Sequence, residues 1–128
     1  MSMAGKDSAL KTFPRASEEI PQHEPGAKLD STKVRLGLVL DGFTLSLNEV
    51  AKVGTFGAKK YSDYGFLSVP NGEERYTDAM LRHLLTLEDV DGETGLLHDA
   101  AVAWNALARL EIRLRSEMKD LESKGHCP

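Results

Sequence analysis

The most constraining feature of the sequence is a long series of regularly spaced apolar residues close to its C-terminus. These residues recur every three or four positions, which is the spacing of one face of an α-helix. The pattern predicts a single helix from about Leu96 to Ser123. Because this apolar stripe is longer than the core of one small domain needs, we expect part of it to pack on another subunit. The stripe consists of Ala103, Leu107, Leu110, Leu114, Met118 and Leu121.

Two shorter segments upstream show the same helical spacing. Apolar residues recur at intervals of three and four over 43–61 and again over 73–87. Each segment therefore predicts an amphipathic helix. Asn71 or Gly72 is expected to cap the start of the second one.

The remaining segments suggest the domain boundaries. The stretch 26–43 alternates basic with apolar residues and contains three glycines, which predicts an extended lead-in that reaches a helix start near Asp41. Residues 1–25 are poor in large apolar groups, so they cannot bury enough surface to offset the entropy of ordering. We expect a flexible tail over 1–25, or an arm that orders on a partner subunit. We further expect one domain over 26–123 and a flexible C-terminus over 124–128.

Composition limits the classes of function. The 128 residues are enough for one domain, with 41% hydrophobic and 28% charged residues, and no apolar run has the length of a membrane span or a signal peptide. A net charge of −4 argues against duplex nucleic acid, whose binding depends on clustered Lys and Arg. The single Cys127 excludes an internal disulfide and a Cys-based zinc site, and the four histidines lack zinc-protease spacing. These features predict a cytoplasmic protein with no membrane partner.

Four carboxylates follow the second of these predicted helices. Glycines interrupt the helical pattern among them, so they are expected at the helix C-terminus or just past it. Negative charge is unfavourable there unless a cation is nearby. With one more helical turn, Glu88 and Asp91 would lie on one face, where two carboxylates can share Mg²⁺ with water and phosphate oxygens. The alternative is a solvated acidic loop. The four are Glu88, Asp89, Asp91 and Glu93.

Several basic residues are candidates for binding phosphate. Lys59 and Lys60 end the helix predicted over 43–61, where they either only balance the helix dipole or clamp a polyanion. Arg82 can hold a carboxylate or phosphate through two parallel hydrogen bonds, or it can hold the acidic run in place. Gly54 and Gly57 within the first helix indicate close approach of a second backbone or a ligand.

The other candidates have a structural and a functional interpretation each. His83, in the middle of its predicted helix, is a hydrogen-bonded structural group or else a ligand or base. Trp104 is a core or interface anchor, or it stacks on a base. Asn105 reads a base edge or caps a buried carbonyl. His98 opens the last predicted helix, near its positive end.

Four motifs occur in order along the chain: GAKLD at Gly26, EVAKVGTFGAKKY at Glu49, RYTDAMLRHLL at Arg75 and EDVDGETGLLHDAAVAWNALARLE at Glu88. With these motifs, the segment from Gly26 to Arg115 resembles the phage and bacterial family of dATP/dGTP diphosphohydrolases. These enzymes are relatives of the MazG-like all-α nucleoside triphosphate pyrophosphohydrolases. The resemblance implies an all-α small helical bundle of the MazG-like type, which we expect to assemble as an oligomer through its long helices. For a phage-encoded protein, it also implies the cytoplasm of the bacterial host.

The activity implied by the resemblance is cleavage of a nucleotide between the α- and β-phosphates, giving a monophosphate and pyrophosphate. The implied cofactor is Mg²⁺, with Mn²⁺ as the alternative, held by Glu49, Glu88 and Asp91, or by Asp89 or Glu93. His83 or His98 would position the base or the water, and His83 is taken as catalytic. The substrate would be a purine deoxynucleoside triphosphate. Its expected binding residues are Lys59, Lys60, Tyr61, Arg82, His98, Trp104 and Asn105.

Three positions depart from the family pattern. The first MazG-like motif, ExxE, needs a second acid three residues after Glu49, where this chain has Lys52, a group that would compete with a cation. A His expected three residues after His98 is Ala101, and a loop Trp is Phe66. The first two departures motivate an alternative, a non-hydrolytic protein that sequesters a nucleotide or a nucleotide-derived signal. A third interpretation is a helical interaction protein without a small ligand. In each case we expect a dimer or tetramer.

Overall fold

The computed structural model describes residues 20–125, and in this range the chain is all-helical. Its only β-type pairing there is one isolated bridge between Val90 and Leu97. The all-α prediction is therefore confirmed. The flexible ends predicted over 1–25 and 124–128 fall mostly on residues 1–19 and 126–128, which lie outside the described residues. The helices are α1 (Leu36–Gly42), α2 (Thr44–Lys60), a short 3-10 helix (Gly65–Ser68), α3 (Gly72–Leu84) and α4 (His98–Ser123).

The chain divides into two compact units, Met1–Val39 and Leu40–Pro128. The described part of the first unit consists of turns followed by the beginning of α1. In these turns the Glu24 amide donates to the Pro21 carbonyl at 3.0 Å, and the Ala27 amide donates to the Glu24 carbonyl at 3.1 Å. Short-range hydrogen bonds of this kind satisfy the backbone where no helix or strand does so.

The lead-in to α2 differs from its prediction. We expected extended backbone as far as Asp41, whereas the chain is helical from Leu36. The physical reason is that the short apolar run at 36–40 fits a strand or a helix equally well, so periodicity cannot separate them. The α2 and α4 boundaries agree with their predictions to within two residues.

Helix α3 also ends earlier than expected, at Leu84 instead of Leu87. The Thr86 hydroxyl donates to the Arg82 carbonyl at 2.6 Å, and this bond satisfies a backbone group that a further helical turn would have used. Consequently the four acids lie just past the helix C-terminus, as predicted, and the extra turn that would have placed Glu88 and Asp91 on one helical face is absent.

In the second unit, α4 is the helix on which the others pack. Helix α3 lies along it most extensively, α2 contacts it over a shorter length, and the 3-10 helix touches both α3 and α4. Gly72 at the start of α3 fits against Ile112, where a Cβ would lie 2.8 Å from Cδ1, while His83 near the end of α3 meets His98. Helices α3 and α4 are therefore antiparallel. Because α2 and α3 pack on α4 but scarcely on each other, a gap remains between them.

Small residues dominate the contacts on α4. The buried apolar residues of the described chain are Val50, Ala100, Ala101 and Ala108, exposed by 2–7%. Short side chains let the helix axes approach closely but bury little apolar area. The apolar stripe from Leu107 to Leu121, which is all of it except Ala103, stays 44–52% exposed.

The close approach predicted at two glycines occurs at Gly54 only, and the group that approaches is a side chain instead of a second backbone. A Cβ on Gly54 would lie 2.8 Å from Cη2 of Trp104 and closer still to Cζ3, so the absence of a side chain is what lets this ring pack on α2. A Cβ on Gly57 would meet no atom within 4 Å.

Alanine substitutions at these two glycines should have opposite effects on stability. Gly54→Ala should lower the free energy of unfolding by about 1–2 kcal/mol, because overpacking against the rigid indole outweighs the gain in helix propensity. Gly57→Ala, with free space around it, should raise it by about 0.5–1 kcal/mol. Urea unfolding followed by the fluorescence of the single Trp measures both. Equal stability of the two variants would show that the ring can leave Gly54 without a penalty.

Candidate functional site

The gap between α2 and α3 forms a cleft of about 930 Å³, within the usual range for small-molecule sites. Small residues of α2, among them Gly54 and Ala58, line one side, and the loop 61–70 closes another. Helix α3 supplies the polar face, and the Trp104 ring of α4 also lines the cleft. Three helices and one loop therefore meet around a single concave surface.

The Trp104 ring is held from two directions. It packs on Gly54 and meets the Phe66 ring edge to face, with 5.1 Å between the ring centroids and an interplanar angle of 67°, a favourable geometry for aromatic pairs. The indole is half-buried, so part of its surface remains available to the cleft. This arrangement anchors the loop to the helices, and stacking of Trp104 on a base stays a prediction.

Two arginines of α3 face the cleft. Arg75, Ala79 and Arg82 are four and three residues apart, a spacing that places them on one helix face, and all three line the cleft. The Arg82 guanidinium makes no ion pair or hydrogen bond with any side chain of residues 20–125, and Arg75 Nη1 reaches only the Pro70 carbonyl, at a long 3.5 Å. Asp63 is the single acid among the described lining residues. The cleft therefore carries an excess of positive charge.

The acidic run forms a closed loop over 85–97, and Asp91 organises it. One carboxylate oxygen of Asp91 accepts the Glu93 amide at 3.1 Å, and the other accepts the Thr94 hydroxyl at 3.3 Å. The Asp91 amide donates to the Leu96 carbonyl at 2.8 Å. Gly95 adopts a φ of 71°, the left-handed conformation that such a tight turn requires. Asp91 thus has a structural role in this loop.

The three predicted metal ligands come from two different elements. Glu49 lies on α2 and accepts a hydrogen bond from Lys52 Nζ at 2.9 Å, so the lysine that departs from the family pattern engages this carboxylate. Glu88 is exposed and Asp91 half-buried in the acidic loop. Within residues 20–125 of one chain, no three His, Cys, Asp or Glu side chains are grouped so that they could hold a metal ion. MazG-like enzymes are expected to carry a second acidic motif, ExxD, on the next helix, and Glu88 and Asp91 match its spacing. Here they lie in the loop after α3 and not on a helix.

The two lysines at the end of α2 have different surroundings. Lys60 Nζ lies 2.8 Å from Glu93 Oε1 and 5.4 Å from the centroid of the Tyr61 ring, and the bond to Glu93 raises the pKa of Lys60. Lys60 therefore links α2 to the acidic loop. Lys59 instead lines a smaller hollow of about 340 Å³ with Lys52. Tyr61 lines the main cleft, which neither lysine does.

The two predicted histidines contact each other. His83 Nδ1 of α3 and His98 Nδ1 of α4 lie 2.7 Å apart, so one nitrogen must donate a proton and the other must accept it. Burial lowers the pKa of His83, the facing His98 and neighbouring Arg82 lower it further, and Asp91 opposes them. The hydrogen-bonded interpretation of His83 matches this geometry, and its catalytic role stays a prediction.

The side chain of Asn105 forms a hydrogen bond within its own helix, α4. Its side-chain amide donates to the Ala101 carbonyl at 2.7 Å, and the residue is only 6% exposed. Of the two roles predicted for Asn105, the structure shows the capping of a buried carbonyl. Asn105 does not line the main cleft.

Comparison with known proteins identifies the family of the chain. The family model described as dATP/dGTP diphosphohydrolase, N-terminal, matches residues 23–122. The chain belongs to this family. Comparison with curated proteins and with solved structures gave no match in either case. The matched span of the diphosphohydrolase family includes the whole cleft and the whole acidic loop. Among residues 20–125, no helix has the length and apolar character needed to cross a membrane.

Sequence reasoning missed several lining residues of this diphosphohydrolase-family cleft. Arg75 could have been found, because it lies two helical turns before Arg82 and the seven-residue spacing puts both on one face. Tyr64 and Asp63 lie in a loop without periodicity, so no pattern indicated their direction. Tyr76 lines the cleft as well, and burial raises the pKa of its hydroxyl.

Lowering the pH should destabilise the fold through the histidine pair. Burial and the facing imidazole hold the pKa of folded His83 below 6.5, so the unfolded chain binds a proton that the folded chain resists. The contribution of His83 is complete above pH 6.5 and is lost as the pH falls from there to the folded pKa. The free energy of unfolding, measured in urea, should therefore decrease as the pH is lowered below 6.5.

His98→Asn is the matched variant for this measurement. Its neutral amide can still hydrogen-bond His83 but no longer places a second imidazole beside it, so the pH dependence should become shallower. An unchanged slope would show that the pair is not its source.

Proposed function

We propose that the protein is a nucleoside triphosphate diphosphohydrolase that converts dATP or dGTP into the monophosphate and pyrophosphate. The observation that supports this most directly is the cleft, in which two arginines on one face of α3 accompany the half-buried ring of Trp104. A purine nucleotide has the matching chemistry, with an anionic chain at one end and a planar base at the other. Membership of the dATP/dGTP diphosphohydrolase family supports the substrate class and the bond that is cleaved.

In this proposal the arginines bind the phosphates. Arg75 and Arg82 are separated by about 10 Å along the helix axis, at 1.5 Å per residue. Arg82 has no competing acid partner among the described residues and can therefore give both of its parallel N–H donors to phosphate oxygens. Charge that develops on the leaving pyrophosphate is stabilised by donors that are already in place. Lys59, Lys60 and Tyr61 stay as secondary candidates around the end of α2.

A divalent cation is proposed as the cofactor, Mg²⁺ or Mn²⁺. When bound, such a cation neutralises charge on the triphosphate and lowers the pKa of the attacking water. Glu49, Glu88 and Asp91 are the candidate ligands, and their oxygen-only donor set suits these ions. Because one or two carboxylates plus phosphate oxygens and water commonly complete a Mg²⁺ shell, a site with few protein ligands is compatible with the absence of a three-residue group in residues 20–125. His83 or His98 is proposed to position the base or the water.

Hydrolysis and the role of Arg82 can be tested together. The purified protein with Mg²⁺ should convert dATP or dGTP into monophosphate and pyrophosphate, which ion-exchange chromatography separates. Arg82→Gln should lower kcat/KM by about 10- to 150-fold, since hydrogen bonds to charged groups contribute about 1.5–3 kcal/mol. Arg113→Gln, which removes a guanidinium that pairs with Glu117 on α4, should leave kcat/KM unchanged. Absence of turnover for every nucleotide by the folded protein would contradict the proposal.

One observation favours a second candidate, a nucleotide-sequestering protein. The Lys52–Glu49 ion pair of 2.9 Å neutralises the carboxylate that would otherwise attract a cation. Binding without hydrolysis needs only the cleft and its arginines. Calorimetry in a chelator separates the two candidates, because tight metal-independent binding with recovery of intact nucleotide supports sequestration. A complete lack of thermal stabilisation by nucleotides would instead leave the helical interaction protein.

We also propose that the chain forms a homodimer or homotetramer through α4. Leu110, Leu114, Met118 and Leu121 follow one helix face and are 44–52% exposed. The described chain has no large side chain that is fully buried, and this face offers a continuous row of exposed apolar side chains along one helix. Self-association through a single face of a long helix matches the symmetry of most oligomers.

A charge on this face should dissociate the oligomer. Leu114→Glu places a carboxylate in the middle of the proposed contact, where it would lose hydration, so the mass from light scattering should fall to that of a monomer. Ser116→Glu adds the same charge two residues along, on another face, and should leave the mass unchanged. A monomeric wild-type protein, or equal masses for both variants, would argue against this interface.

A further inference from the structure

Tyr64 has a backbone conformation that its side chain does not favour. Its φ is 59°, in the left-handed region, although it is neither Gly nor one of the short polar residues that commonly adopt this conformation. A large side chain in this region is a rare conformation and a reason to look for a function. Tyr64 also lines the main cleft.

The turn itself does not require tyrosine. The Gly65 amide donates to the Ser62 carbonyl at 3.3 Å, and the Leu67 amide donates to the Tyr64 carbonyl at 3.1 Å. Both are backbone bonds that any residue at position 64 would allow, and Gly or Asn would adopt the same φ more easily. Asn71 provides the comparison at the other end of the same loop, because it has a φ of 54° and a residue type suited to it.

The Tyr64 side chain gains little from the rest of the fold. It is 77% exposed and makes no hydrogen bond or ring contact with another of the residues 20–125. An aromatic ring left in water at the wall of a cleft is a surface that a planar ligand can cover. No contact of this ring with residues 20–125 therefore offsets the unfavourable backbone conformation.

We propose that Tyr64 is the residue that stacks on the purine base of the bound nucleotide, and that its left-handed backbone directs the ring into the cleft. This inference rests on the proposed nucleotide substrate and names the group that binds its base. Stacking on an aromatic ring is tolerant of base identity, so Tyr64 contributes equally to adenine and guanine. The arginines of α3 bind the phosphates, and Tyr64 acts on the opposite end of the ligand.

The test uses the two proposed products, because each carries one end of the nucleotide and neither is consumed. Calorimetry gives the Kd of dAMP, dGMP and inorganic pyrophosphate for the wild-type protein and for Tyr64→Gly, Tyr64→Phe and Asn71→Gly. Tyr64→Gly should weaken the binding of both monophosphates by about 5- to 150-fold and leave pyrophosphate binding unchanged. Tyr64→Phe keeps the ring and should bind all three ligands as the wild type does.

Stability provides an independent readout on the same variants. Tyr64→Gly relieves an unfavourable left-handed backbone and should raise the Tm, whereas Asn71→Gly replaces a residue already suited to that conformation and should change the Tm little. Only Tyr64→Gly should lose affinity for the monophosphates. Unchanged monophosphate binding in Tyr64→Gly overturns the stacking role while the proposed hydrolase stands. Equal weakening of pyrophosphate also overturns it, because the loop as a whole would then be responsible. A wild-type protein that binds none of the three ligands and hydrolyses no nucleotide removes the proposed function and this inference with it.

Discussion

The contact between Gly54 and the Trp104 ring determines where the cleft between α2 and α3 lies. Because α2 has no side chain at that point, it approaches α4 closely, while α3 packs along α4 through its own glycine contact at Gly72. Two helices that both rest on a third one leave a space between them. The cleft is therefore a direct consequence of small residues at helix contacts, and Trp104 is both its structural support and part of its lining.

Charge is divided between two neighbouring regions of the second unit. The cleft has two arginines and a single acid among its described lining residues, whereas the loop that follows α3 concentrates the carboxylates. Lys60 of α2 pairs with Glu93 of that loop. The two ends of the loop are held together by the hydrogen bond between His83, at the end of α3, and His98, at the start of α4. A polyanion in the cleft and a cation near the loop would each reduce unbalanced charge. The proposed ligand, a metal–triphosphate complex, would supply an anion to the first region and a cation to the second.

The sequence predicted the parts of the fold that depend on local pattern. Helical periodicity located α2 and α4 within two residues, and Gly54 was identified as a close approach because a glycine inside a helix otherwise destabilises it. The early end of α3 depends on a hydroxyl bond of Thr86, which no periodicity shows. The direct contact of His83 with His98 depends on the antiparallel packing of two helices, and single-sequence reasoning has no access to such distances.

The departure at Lys52 changes how a cation would have to bind. In one chain the ammonium already provides a positive charge 2.9 Å from Glu49, so a metal ion must displace it before that carboxylate becomes a ligand. This pair is exposed, and exposed ion pairs contribute only about 0–1 kcal/mol, so a doubly charged ion carried by a triphosphate can compete with it. The free protein should then have little affinity for the metal alone. In the proposed function, the nucleotide and its cation would therefore bind in one coupled event, in which the arginines of α3 would hold the phosphates that bring the ion to the acidic loop.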